Sequence, residues 1–161
     1  MAYGEHKYQV TVQWTGNRGS GTSGYRDYGR DHTIHAGDKP VIAGSSDPAF
    51  LGDAARWNPE DLLVASASAC HKLWYLHLCA DAGIAVMTYV DDAEGTMSDN
   101  PQQGHFTRIV LRPRVSIRRG DDHGLALRLH HTAHEKCYIA NSVNFPILCE
   151  PSVTLCEDLT E

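Results

Sequence analysis

Residues 58–82, NPEDLLVASASACHKLWYLHLCADA, constrain this chain more than any other stretch. Asn58 suits an N-cap, Pro59 the first helical position, and Glu60 and Asp61 put negative charge where free N–H groups and the helix dipole favour it. Gly83 follows as a C′ residue. Between those ends Leu62, Leu63, Val64, Ala67, Cys70, Leu73, Trp74, Leu76, Leu78 and Cys79 occupy nearly the whole circumference, which predicts a helix buried on most sides. At about 1.5 Å per residue it would be roughly 35 Å long. His71, Lys72 and His77 make it too polar for a membrane span.

The rest of the chain supplies strands to pack around such a helix. Tyr8, Val10, Val12 and Trp14 alternate with polar residues as a half-buried strand, and the glycine-rich turn Gly16–Gly24 leads to a hairpin return through Tyr25–His35. After a turn at Gly37–Pro40, residues 44–57 read as an ordered loop into the helix. Ile84, Val86, Thr88 and Val90 alternate again, and Glu94–Met97 can extend a strand. Thr107, Ile109, Leu111, Val115 and Ile117 share one face of a long strand whose other face carries Arg108, Arg112, Arg114 and Arg118. That arginine face reads as solvated sheet surface, and Pro113 marks an edge or a bulge.

A second helix is signalled by Ala126, Leu129, Ala133, Cys137 and Ala140, starting after Asp121 and Asp122 and breaking near Asn141–Asn144. A last strand runs from Ile147 to Leu155 with Pro151 interrupting it. The order of elements predicts an α+β fold with antiparallel sheets.

With 161 residues and 42% hydrophobic composition, residues 1–161 read as a single domain with its own core. Fourteen basic residues against twenty acidic ones, net −6, argue against nucleic acid or an anionic membrane as partner. The opening MAYGEHKYQV lacks the apolar run of a signal peptide, so a cytoplasmic location is expected. There the five cysteines would be reduced thiols unless some are redox-active.

Cys79, Cys149 and Cys156 read as small buried hydrophobes. Cys70 and Cys137 read otherwise on a resemblance. The run Asn58-Pro59-Glu60-Asp61-Leu62-Leu63, the later Ala69-Cys70, and Ala133-His134-Glu135-Lys136-Cys137 resemble the OsmC/Ohr family, the osmotically inducible and organic hydroperoxide resistance proteins. The Trp14-Thr15-Gly16 strand end and the Arg18–Thr22 turn are similar to the OsmC branch.

The resemblance implies an OsmC-like fold, an intertwined homodimer with sites at the subunit interface, and a cysteine-based peroxidase for organic hydroperoxides. It implies Cys70 as the peroxidatic residue and Cys137 as the resolving one. It also implies an arginine held by Glu60; Arg18 is favoured, with Arg56, Arg26 and Arg30 as alternatives. A dithiol reductant, of lipoyl type in Ohr members, would recharge the pair, and neither a cofactor nor a metal is implied.

If Glu60 and Cys70 share one straight helix, ten residues separate them by about 15 Å. Glu60 would then serve the partner subunit's Cys70, unless the helix starts late or bends. His71 stands where the resemblance leads one to expect an aromatic residue, and it diverges from Cys70 by about 100° on a helix. It reads as a buried, hydrogen-bonded histidine.

Two rival readings remain open. His130, His131, His134 and Cys137 cluster on one helix, and Cys70 or His71 could add a metal ligand, although no paired Cys-x-x-Cys or His-Glu-x-x-His spacing is present. The other rival is a non-catalytic stress or ligand-binding protein on the same fold.

Overall fold

The computed structural model of the chain describes residues 4–156. The ends at 1–3 and 157–161, which the single-domain reading included, lie outside the described residues. The chain divides into two compact units, Met1–Leu62 and Leu63–Glu161.

The first unit is built on a three-stranded antiparallel sheet of β1 (Thr11–Trp14), β2 (His32–His35) and β3 (Ile42–Gly44). Its hairpin is the expected one with shorter strands, because residues 15–31 are held by turn contacts. Gly29 N–H donates to the Gly16 carbonyl, and Trp14 Nε1 donates to the Gly29 carbonyl. A side chain on Gly16 would meet the Gly29 carbonyl oxygen at 2.0 Å, so this close crossing requires glycine. The expected half-burial of the first strand is not found, since Tyr8, Val10, Val12 and Trp14 are all exposed. Residues 45–57 form the ordered loop: Asp47 caps a short 3-10 turn at Pro48–Phe50, and Trp57 bridges back to Gly44.

Helix α1 (Pro59–Asp81) is unbroken and starts where the caps require. The Asn58 side chain accepts the Asp61 N–H at 2.7 Å. At the other end Gly83 has φ 74°, and the Gly83 and Ile84 amides close onto the Ala80 and Cys79 carbonyls. The helix is not buried on most sides, however. Ala67, His71, Tyr75 and Cys79, four residues apart, form one buried stripe. Leu73 is 62% exposed, because the described chain packs its own strands and second helix against one side only.

In the second unit β4 (Val86–Asp91), β7 (Pro113–Ile117) and β9 (Ser152–Leu155) make one sheet, and β5 (Glu94–Ser98), β6 (His105–Leu111) and β8 (Ile147–Cys149) another. The β4–β7 and β5–β6 pairs are antiparallel. The β6–β8 and β7–β9 pairs are parallel, so the expected all-antiparallel arrangement is corrected to mixed sheets. The crossover through helix α2 (His123–Lys136) returns the chain in the same direction as the strands it left.

The expected long strand through 107–117 is two strands parted at Arg112, whose amide goes to Asp91 rather than to a ladder. Pro113 is neither at an edge nor in a bulge: it opens β7, the central strand of its sheet, where a missing N–H costs least. The arginine face is solvated, and Arg112, Arg114 and Arg118 on it are ion-paired. Arg112 pairs with Glu94 and Glu150, Arg114 with Asp92, and Arg118 with Asp121. Behind it Ile109, Leu111, Val115 and Ile117 are fully buried, in two clusters centred on Tyr75 and on Ala67.

Asp122 caps α2 by accepting the Leu125 N–H. The helix ends at Lys136, earlier than its apolar spacing suggests. Cys137, expected within the helix, is its C-cap in extended conformation, and a 3-10 turn at Ala140–Ser142 follows. The helix stops there because the Cys137 sulfur accepts the Ala140 N–H at 3.4 Å and Asn141 Nδ2 donates to the Glu135 carbonyl.

Candidate functional site

Cys70 and Cys137 come near each other in the second unit. The Cys137 thiol, at the end of α2, lies near enough to Cys70, in the middle of α1, for the Cys70 side chain to help raise its pKa. Cys137 is buried, and burial pushes its thiol up to about 11, with the Ala140 amide opposing and the Cys70 side chain reinforcing the rise. It is therefore protonated at neutral pH.

Cys70 opens onto a cavity of about 400 Å³ that it lines with Leu73, Trp74, His77 and Tyr138. The indole of Trp74 meets the Tyr138 ring edge-on at 5.7 Å, and Lys136 Nζ lies over the indole at 5.5 Å. Trp74 and Tyr138 were not singled out by sequence reasoning. Trp74 was legible as one of many apolar positions on α1, whereas Tyr138 follows the helix end and carries no periodic signal.

The remaining expected site residues belong to the first unit. Glu60 is on the first turn of α1. The unbroken start of the helix at Pro59 removes the late-start alternative and leaves ten helical residues, about 15 Å, between Glu60 and Cys70. Arg18 Nη1 donates to the Arg26 carbonyl at 3.4 Å. Arg30 donates to the Tyr25 and Tyr28 carbonyls and lies over both rings. Arg56 pairs with Asp31 and Asp53. Among the described residues no arginine pairs with Glu60.

The histidines divide differently from the expected cluster. His131 is exposed and paired with Glu135, and Cys137 belongs with Cys70. His130 instead points inward to His71, with Nδ1 and Nε2 3.0 Å apart, and its ring stacks on Tyr75 at 3.8 Å. Cys149 joins them, its sulfur 3.6 Å from His71 Nε2. Burial holds His71 down at about 4 and His130 at about 3, so both are neutral near pH 7. Burial, with Asp91 and Glu150 adding, pushes the Cys149 thiol up to about 12. Sequence reasoning missed this grouping because its members come from α1, α2 and β8 and share no spacing rule.

Comparison with known proteins places the chain in a family. Residues 52–152 match the family model described as OsmC-like protein. The fold resembles that of an OsmC-like protein of unknown function from Vibrio cholerae, with 30% identity, 92% of this chain and 100% of that one covered, and a TM-score of 0.84. An organic hydroperoxide resistance protein from Legionella pneumophila shares 20% identity over 93% of this chain and 99% of its own, with a TM-score of 0.63. Another, from Bacillus subtilis, shares 19% over 92% and 98%, with a TM-score of 0.60. At those identities the last two likenesses speak to the fold alone. A search of curated proteins finds no match.

Proposed function

Because the chain belongs to the OsmC-like protein family, some of whose structural neighbours are organic hydroperoxide resistance proteins, we propose that it is a thiol peroxidase reducing organic hydroperoxides to alcohols. The observation that carries this reading is the nearness of Cys70, open to an apolar cavity, to the buried thiol of Cys137.

The two thiols are unequal in the way the reaction needs. Cys70 lines the cavity and takes the attacking role as thiolate, the nucleophilic form. Its sulfur displaces alkoxide from the O–O bond, which becomes the alcohol on taking up a proton, and Cys70 is left as a sulfenic acid. The Cys137 sulfur then attacks the sulfenic sulfur, expelling water and closing the disulfide. A resolving thiol near Cys70 favours that second step over further oxidation of the sulfenic acid. An external dithiol, which exchanges through a mixed disulfide, returns both thiols. The walls of Leu73, Trp74 and Tyr138 favour an apolar substituent on the peroxide over hydrogen peroxide.

A homodimer completes the proposal. Glu60 and its arginine, with Arg18 favoured, would serve the Cys70 of the partner subunit, since about 15 Å of helix parts Glu60 from the Cys70 of its own chain. The exposed apolar side of α1, including Leu73, is the kind of surface that a second subunit covers.

The test is thiol counting in reduced protein after one equivalent of cumene hydroperoxide. The expected result is rapid loss of two thiols in the wild type, none in Cys70→Ser, and a trappable sulfenic acid in Cys137→Ser. Slow loss spread over all five cysteines would overturn the reading.

A further inference from the structure

His71 Nε2, His130 Nδ1 and Cys149 Sγ lie within 4.8 Å of one another. They come from α1, α2 and β8, so three elements converge on one point in the core of the second unit. The edges given by His71 Nε2 are 3.0 Å to His130 and 3.6 Å to Cys149. A tetrahedral zinc ion with bonds of about 2.0 Å to nitrogen and about 2.3 Å to sulfur has ligand-to-ligand edges of roughly 3.3–3.6 Å. Those two edges are within a few tenths of an ångström of such an ion's, the third is bounded by 4.8 Å, and the two rings, 7° from parallel with centroids 5.4 Å apart, must turn to aim at one centre.

One proton between two ring nitrogens satisfies only the inner pair, and the outer nitrogens, His71 Nδ1 and His130 Nε2, are buried without a partner. Such a pair is poorly served by hydrogen bonding alone. A cation on the inner nitrogens would replace the shared proton and leave the outer nitrogens as N–H donors, so what favours the metal is the convergence of the inner nitrogens with the Cys149 sulfur.

The donor set selects the ion. Two imidazoles and a thiolate offer no oxygen, which disfavours calcium and magnesium and suits a borderline cation. His130 and Cys149 also line a cavity of about 290 Å³, together with His131, His134 and Leu148. Two of the three donors thus face open space, while His71 closes the site from the core side.

We propose that His71, His130 and Cys149 form a zinc(II) site with its fourth position open to this cavity. Binding exchanges the Cys149 thiol proton for the metal and involves no change of oxidation state. The site is independent of the peroxidase reading, since it uses neither Cys70 nor Cys137.

The experiment uses the full-length, reduced, metal-free chain titrated with cobalt(II) as optical probe and then with zinc. One cobalt per chain is expected, with tetrahedral visible bands and a thiolate-to-cobalt charge-transfer band, all removed by zinc. Cys149→Ser should lose the charge-transfer band, His130→Gln should weaken binding at least tenfold, and Cys70→Ser should bind as the wild type does. Should the variants fold poorly, alkylation of the wild type followed by mass spectrometry decides: zinc should shield Cys149 and leave Cys70 reactive. Absence of the charge-transfer band in the wild type, its loss in Cys70→Ser, or a Cys149 that zinc does not shield would each overturn the site.

Discussion

Acidifying the metal-free protein from pH 7 to pH 5 should destabilise it through the buried His71–His130 pair. Both imidazoles are neutral in the fold, with values near 4 and near 3 against an ordinary value of 6.5. Between those values and 6.5 the unfolded chain binds more protons than the folded one. Stability therefore rises with pH there and falls as pH falls; the full contribution is present above pH 6.5. At pH 5 the unfolded chain gains about 2 kcal/mol from each histidine, so the pair costs the fold about 4 kcal/mol. Because pH 5 lies above both folded values, the loss does not depend on how far below it they sit. Such a loss is a large part of a typical domain stability of roughly 5–15 kcal/mol. Urea unfolding at both pH values, with chelator present, measures it, and His130→Gln should halve the loss. A difference below about 1 kcal/mol, or an unchanged one in His130→Gln, would refute the reasoning, since a single neutral buried histidine already requires about 2 kcal/mol.

Other expectations can be checked alongside. Trp74→Ala should raise KM for cumene hydroperoxide about tenfold, or roughly 1.4 kcal/mol, and leave hydrogen peroxide turnover unchanged; equal losses on both substrates would count against the apolar cavity as substrate site. Mixing inactive Glu60→Gln and Cys70→Ser subunits should restore activity, because each mixed dimer holds one site with both residues intact; no recovery after subunit exchange would place the two residues in one chain's site. Leu111→Ala, which empties a fully buried position between β6 and α1, should cost about 2–5 kcal/mol in urea unfolding. Asn58→Ala, which removes the cap on the Asp61 amide, should cost about 1 kcal/mol in the same assay.

What the sequence revealed followed the range of the forces involved. The caps of α1 at Asn58 and Gly83, the Asp122 cap of α2 and the alternation of Ile109, Leu111, Val115 and Ile117 are set by neighbours a few residues away, and they were legible. Strand direction was not, because β8 and β9 pair with strands more than thirty residues earlier, and nothing local in Ile147–Leu155 distinguishes parallel from antiparallel. Apolar spacing carried the expected second helix through Cys137, but a hydrogen bond from Ala140 to the sulfur ends it sooner. Cys70 and Cys137 were marked by a resemblance rather than by spacing. The third cysteine that matters, Cys149, looked like any small core residue until β8 brought it beside His71.

Cys70 and His71 are consecutive residues, yet about 100° of helical rotation sends them to different chemistries. The cavity of Cys70, with Trp74 and Tyr138, shares no residue with the cavity of Cys149, with His130 and His134. Helix α1 thus acts as a partition between two sulfur compartments. A sulfenic acid formed on one side finds Cys137 as its neighbour, while the thiol of Cys149 faces histidine on the other. A one-residue insertion ahead of Cys70 would turn this wall and scramble both compartments at once, although it would change no reactive group.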